Sequence, residues 1–246
     1  MPFRVESAGR THTGLVRDRN EDALLIDNDL RLWVVCDGMG GHRGGQVASQ
    51  LAVATIADAV RSGIPAGERP DPLAAAIAAA NRAVYLRGRS DRELFNMGTT
   101  VVAIRMENHV LHLCHVGDSR IYRWRQGDFQ QLTRDHSLVN LYADNPGLAA
   151  KFGPAGSNVI VRALGLREEV EIDYQRQRIE HGDMYLLCCD GLTDMVDDWI
   201  LKEVMADGAV GAVDECADTL IRAALNNGGV DNVTVVVLRL FEVTAT

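Results

Sequence analysis

The sequence predicts an α+β fold in which antiparallel sheets carry helices on their outer faces. Three observations lead there. Short apolar runs of strand character are numerous, amphipathic helices fall in two groups, one early and one late, and strict strand–helix alternation is missing. Without that alternation a doubly wound parallel sheet has no basis.

The strand runs are 31–36, 99–105, 110–116, 120–124, 170–174, 184–189 and 232–240. Leu32, Trp33, Val34, Val35 and Cys36 are continuously apolar, as in a strand buried on both faces. Gln126-Gly127-Asp128 separates two runs as a hairpin turn does. Residues 45–62 place Val47, Leu51, Ala54, Ile56, Ala59 and Val60 on one broad stripe, so a helix is expected there. Asp71-Pro72 reads as an N-cap followed by proline at the first helical position, opening a second helix to about residue 87. Two more helices are expected over 199–206 and 210–224. The stretch 144–157, with Asn145-Pro146-Gly147 and Gly153-Pro154, reads as a long surface loop. No linker, repeat or low-complexity tract interrupts the chain, so a single domain over 1–246 is expected.

Composition narrows the function. The chain has 246 residues, 47% hydrophobic, enough to bury roughly 70% of its unfolded surface. Lys and Arg number 25 against 34 Asp and Glu, a net charge of −9. That balance offers no footprint for nucleic acid and no basic anchor for a membrane. The first residues lack the apolar core of a secretory signal, and no run is long enough to span a bilayer. The five cysteines contain no CxxC and read as buried thiols of a cytoplasmic protein.

The informative residues are acids. Residues 32–38 and 184–191 are both an apolar run ending in Asp-Gly, at Asp37-Gly38 and Asp190-Gly191. A hairpin turn would explain either alone. Asp37, however, leads into Met39-Gly40-Gly41-His42-Arg43-Gly44-Gly45, more glycine than a hairpin needs. Such a backbone passes close to a ligand or offers it a carbonyl. Glu21-Asp22, Asp118 and Asp231 also stand at strand ends beside turns. Together they describe carboxylates converging on one rim of a sheet. Like charges this close need cations, and all-oxygen ligands select Mg²⁺, Mn²⁺ or Ca²⁺. Arg17, four residues before the acidic pair, is either a surface arginine or a bidentate phosphate ligand.

Several familiar sites are excluded. The glycine cluster has Arg43 where a dinucleotide fingerprint needs glycine, and neither a GK[ST] P-loop nor a G-x-S-x-G nucleophile elbow occurs. His109, His112 and His115 do not make a ligand set, because strand periodicity turns His112 to the opposite face from the other two.

The acidic positions fall within an ordered series of motifs. They are Gly14-x-x-Arg17-x-x-Asn20-Glu21-Asp22, Asp37-Gly38-Met39-Gly40-Gly41-His42, Gly98-Thr99-Thr100 and Val116-Gly117-Asp118-Ser119-Arg120. Leu132-Thr133-x-Asp135-His136-Ser137, Arg162-Ala163-Leu164-Gly165, Cys189-Asp190-Gly191-Leu192-Thr193-Asp194 and Gly228-x-x-Asp231-Asn232-x-Thr234 follow. The series resembles the metal-dependent protein phosphatases of type 2C, in their compact bacterial form, across nearly the whole chain. The resemblance implies a four-layer α-β-β-α sandwich, two packed antiparallel sheets flanked by helices. It implies two Mn²⁺ or Mg²⁺ ions bridged by Asp37, with the Gly38 carbonyl completing one shell and Asp190 and Asp231 holding the other ion. Glu21 and Asp22 would act through metal-bound water, and Asp118 with Asp190 would hold a third, weaker ion. Arg17 would bind the substrate phosphate, and a metal-bridging hydroxide would attack phosphorus in line. The loop at about 140–160 corresponds to the family's flap.

Some positions depart from the pattern. Met39 stands where animal members have a histidine proposed as general acid, and His42 is the nearest substitute or else a loop histidine. Gln46 replaces a common glutamate and Cys189 a common serine. The implied activity is hydrolysis of phosphoserine and phosphothreonine on proteins, opposing a Hanks-type kinase, by a monomeric enzyme. A catalytically silent scaffold of the same fold, or a phosphatase of a regulatory anti-anti-sigma-type protein, are the other readings.

Overall fold

The computed structural model describes residues 3–40, 43–63, 71–145, 147–148 and 159–243. His42 and most of the expected loop over 144–157 lie outside these residues. Ten strands build two five-stranded antiparallel sheets. One has the order β1(Phe3–His12), β12(Val233–Glu242), β11(Met184–Cys188), β8(Arg120–Arg125), β9(Asp128–Gln131). The other has the order β10(Asp173–Arg178), β7(Val110–Val116), β6(Val101–Glu107), β3(Leu32–Cys36), β2(Ala23–Asp27). A short ladder joins β4(Gly38–Met39) to β5(Gly98–Thr99). The helices are α1(Gly44–Ser62), α2(Pro72–Ser90), α3(Leu138–Asp144), α4(Asp190–Thr193), α5(Asp198–Gly208) and α6(Val213–Asn226).

The continuous apolar runs are explained by three separate cores. Along β3, Leu32, Val34 and Cys36 pack with α1 and α2, while Trp33 and Val35 face the other sheet. In the opposite sheet, Met184, Leu186 and Cys188 pack with α5 and α6, while Tyr185 and Leu187 face inward. Val235 and Val237 on β12 likewise point outward to helices and Val236 and Leu238 inward. The order of layers is therefore helix, sheet, sheet, helix, the α+β sandwich expected. Strands β3 and β11 carry no charged residue because both of their faces are covered.

Local chemistry sets the boundaries. The Asp71 side chain accepts from the Leu73 N–H at 2.8 Å, with Pro72 in the first turn of α2. Asp71 is buried, and its second oxygen meets Nδ1 of His112, which accounts for that histidine without a metal. The β8–β9 hairpin turns at Gln126 and Gly127, both with positive φ (49° and 88°), the two-residue geometry that matches strand twist.

Several elements differ from the sequence reading, among them the unexpected short helices α3 and α4, and β1, β10 and α6. Strand β1 was not expected, because only Phe3 and Ala8 of its ten residues are buried. Strand β10 runs over Asp173–Arg178 rather than 170–174. The apolar signal at Val170, Ile172 and Tyr174 marks where side chains reach the α1–α2 core, whereas the edge ladder itself is polar. Helix α6 opens at Val213, three residues late, because Ala212 is extended and Val210 is fully outside the core. No helix among the described residues is long and apolar enough to cross a membrane.

Candidate active site

Both sheets deliver acids to one end of the sandwich. Asp37 follows β3, Asp118 lies in the turn between β7 and β8, Asp190 opens α4 directly after β11, and Asp231 precedes β12. Asp190 is therefore a helix opener and not a hairpin turn. Glu21 and Asp22 stand just before β2. Arg17, Glu21, Asp37, Gly38, Asp190 and Asp231 line one pocket of about 660 Å³. A second pocket of about 310 Å³ holds Asp118, Asp190 and Asp194, so Asp190 belongs to both. The structure thus brings all the acids singled out in the sequence to two adjoining pockets, apart from Asp22, which is buried behind them.

The backbone at Asp37 is fixed from three directions. Its N–H donates to Thr100 Oγ1 at 3.0 Å, and its carbonyl accepts from the Thr100 N–H and the Thr99 hydroxyl, both at 2.8 Å. Thr100 Oγ1 also shares a 2.7 Å hydrogen bond with Ser119 Oγ, which ties Asp37 to the Asp118 turn. This gives the Gly98-Thr99-Thr100 motif its purpose. The glycines allow close approach. A Cβ at Gly45 would fall 2.3 Å from Glu21 Oε2 and 2.7 Å from the Gly38 carbonyl oxygen.

Asn232 is the residue whose role the sequence reading missed, although it stood in a quoted motif. Its Oδ1 accepts from the Glu21 N–H at 2.8 Å. Its Nδ2 donates to the carbonyls of Thr13 and Arg19, each at 2.8 Å. One side chain therefore pins the loop that carries Arg17 and Glu21. Arg17 reaches across to donate to Asp231 Oδ2 at 2.6 Å, and this contact raises its pKa. Two motif residues also gain a role: Asp135 receives the Arg120 guanidinium through Nε and Nη2, at 3.1 and 2.8 Å.

Crowding and burial set the electrostatics. Burial, then the charges of Asp22 and Asp190, push the Asp37 carboxyl well above the usual carboxylate range. Asp190 is raised too, chiefly by burial. Burial pushes Asp22 up to about 7, and burial with Asp190 does the same for Asp118. Oδ1 of Asp22 and Oδ1 of Asp118 are buried with no hydrogen-bond partner. Unpaired buried carboxylate oxygens are costly unless a cation reaches them. The donor set is oxygen only, which suits Mg²⁺, Mn²⁺ or Ca²⁺. The residues present therefore fit divalent hard cations. Cys189 Sγ lies near Asp22 and Asp37, but burial holds its thiol protonated, and it is engaged by the Asn232 carbonyl at 3.4 Å and the Thr234 N–H at 3.1 Å.

His115, His136 and Asp173 form another compact group. There the two imidazoles stack with centroids 4.7 Å apart. The Arg162 guanidinium donates to Asp173 Oδ1 at 2.6 Å and lies 3.0 Å from His136 Nε2. His115 Nε2 meets the Arg134 carbonyl at 3.0 Å. Arginine already supplies the cation, so this cluster reads as a brace between β7 and β10.

Two packed antiparallel sheets with helices outside therefore carry, at one end, a carboxylate rim suited to hard cations. The chain belongs to the protein phosphatase 2C family, whose model matches residues 9–226. It is 40% identical over 233 residues to the serine/threonine protein phosphatase PstP of Mycobacterium tuberculosis, covering 94% of this chain but 44% of that protein. It is 35% identical over 237 residues to the serine/threonine phosphatase stp of Listeria innocua, covering 93% of each. Among solved structures, the catalytic domain of PstP in complex with two manganese ions superposes with a TM-score of 0.83 at 38% identity, covering 98% of this chain and all of that one.

Proposed function

We propose that the chain is a metal-dependent serine/threonine protein phosphatase that removes phosphate from phosphoserine and phosphothreonine on proteins. The observation that carries the reading is the convergence of Asp37, Asp190 and Asp231 beneath the Arg17 guanidinium, in a pocket open to solvent. Family membership and the two manganese ions of the PstP catalytic domain support it.

Asp37 would lie between two Mn²⁺ or Mg²⁺ ions, with the Gly38 carbonyl on one, Asp190 and Asp231 on the other, and Glu21 and Asp22 acting through water. Asp118 with Asp190 would hold a third, weaker ion. Bound, the ions supply a hydroxide nucleophile for in-line attack at neutral pH and neutralise charge growing on phosphoryl oxygens. The remaining work falls to the chain. Arg17 stands at the mouth, where its planar fork matches two non-bridging phosphate oxygens and leaves the phosphorus open toward the carboxylates. Asn232 keeps Arg17 and Glu21 in place, and the threonine clamp keeps Asp37 from yielding to its charged neighbours. The natural partners on this reading are a phosphorylated protein and the serine/threonine kinase that modifies it.

Hydrolysis of a phosphothreonine peptide, with Mn²⁺ and with EDTA, tests this. Wild type is expected to require Mn²⁺, and Asp190→Asn to lose about 10²- to 10³-fold in kcat, the usual cost of removing one charge-stabilising group. Folded, Mn²⁺-loaded wild type without turnover would overturn the reading in favour of a silent scaffold.

A further inference from the structure

A groove of about 590 Å³ runs between the start of α1 and the end of α2, and Arg19, Arg43 and Arg87 line it. Arg19 also lines the catalytic pocket, so the two cavities adjoin. Three guanidiniums around one groove stand out in a chain of net charge −9. We propose that this groove is a second anion subsite, taking a phosphorylated or carboxylate side chain of the same peptide whose scissile phosphate enters the catalytic pocket. The inference rests on the phosphatase reading above and deepens it to a preference for multiply anionic substrates.

The lining supports an anion as the occupant. Arg43 is exposed, precedes α1 and makes no side-chain capping bond there. Arg87 meets Asp91 at 3.4 Å in an exposed i,i+4 pair, the weak and exchangeable kind. The acids in the groove are Asp91 and Glu93. Asp91 is partly engaged by its own turn, since its Oδ1 accepts from the Glu93 N–H at 3.1 Å. Guanidinium forks match phosphate and carboxylate in bidentate fashion, which a neutral side chain does not.

The groove is also coupled to the chemistry. Arg19 lies two residues from Arg17, and Asn232 donates to the Arg19 carbonyl at 2.8 Å. The segment that grips the scissile phosphate thus forms the near wall of the groove. An extended peptide advances roughly 3.3–3.6 Å per residue, so a few residues bridge adjoining cavities of this size.

The test uses phosphothreonine peptides in which one other position, moved residue by residue to either side, carries a non-hydrolysable phosphonate analogue of phosphoserine, aspartate or alanine. The readout is the ratio of kcat/KM for the anionic peptide to that for its alanine counterpart. Expected is a ratio of about 3 to 10 confined to one or two adjacent spacings, as for one or two exposed ion pairs. The phosphonate and aspartate arms tell which anion is taken. The ratio should fall toward one in Arg43→Ala/Arg87→Ala, recover in Arg43→Lys/Arg87→Lys, and shrink with added salt, as for a solvent-exposed charge contact. Alanine peptides hydrolysed with a ratio of one at every spacing would remove the subsite and leave the phosphatase intact. A ratio that survives loss of both arginines would also remove it. Hydrolysis of none of the peptides would overturn the phosphatase reading, and the subsite with it.

Discussion

Replacing Asp22 with asparagine in the metal-free protein should flatten the dependence of stability on pH. The Asp22 carboxyl is buried, with one oxygen unpartnered and the other accepting from Thr234 Oγ1 at 2.6 Å. Burial moves its pKa from 3.8 to about 7. The folded value lies above the unfolded one, so the folded state holds this proton more tightly. The stability so gained is present at low pH and is lost as pH rises through about 7. Between about pH 5 and pH 8 that loss is on the order of 2–3 kcal/mol for this one carboxyl. For a chain of this length it corresponds to about 5–10 °C in Tm. His136 works in the opposite sense, since burial lowers its pKa to about 4 and its contribution is lost as pH falls below the ordinary imidazole value. Wild type and Asp22→Asn both keep His136, so its contribution cancels in their difference. Denaturant unfolding of EDTA-treated protein across this range is the assay. The variant should gain about 2–3 kcal/mol relative to wild type from the low end to the high end. Added Mn²⁺ should raise the Tm of wild type most at the high end, because protons compete with the cation for the same oxygens at low pH. Parallel pH curves for the two proteins would refute the argument that an uncompensated buried carboxylate lies at this rim.

Two further outcomes follow from the geometry. Asn232→Ala removes three 2.8 Å hydrogen bonds and should cost about 2–4 kcal/mol of stability. Because Arg17 and Glu21 lose their anchor, kcat/KM should fall by about tenfold or more, roughly what a small misplacement of positioning groups costs; a variant with wild-type kinetics would show that the loop is held by other means. Gly45→Ala puts a methyl 2.3 Å from Glu21 Oε2 in a helix that otherwise favours alanine. The same methyl falls 2.7 Å from the Gly38 carbonyl oxygen, so titration calorimetry should find Mn²⁺ affinity lowered by about 10- to 100-fold, and unchanged affinity would mean that neither Glu21 nor the Gly38 carbonyl takes part in cation binding.

Much was legible along the chain. Asp37, Asp118, Asp190 and Asp231 stood out because each is an acid beside glycine or a turn at the end of an apolar run. The double-faced burial of β3 was written in five consecutive apolar residues. Strand β1 was not legible, since its pairing with β12 is carried by backbone hydrogen bonds and leaves little apolar pattern. The register of β10 was displaced because hydrophobic contact and ladder hydrogen bonding occupy different residues there.

The sequence by itself determined the antiparallel strands with outer helices, the positions of the acids and, through the ordered motifs, the family. These follow from local periodicity, turn chemistry and residue type, which act over a few residues. Tertiary structure decided which groups meet. Arg17 finds Asp231 across 214 positions, and Glu21 hangs from Asn232 across 211. The two arginines beyond Arg19 that line the groove come from the start of one helix and the end of another. Such contacts depend on how two sheets and four layers close on each other, and no pattern within a single segment records that closure.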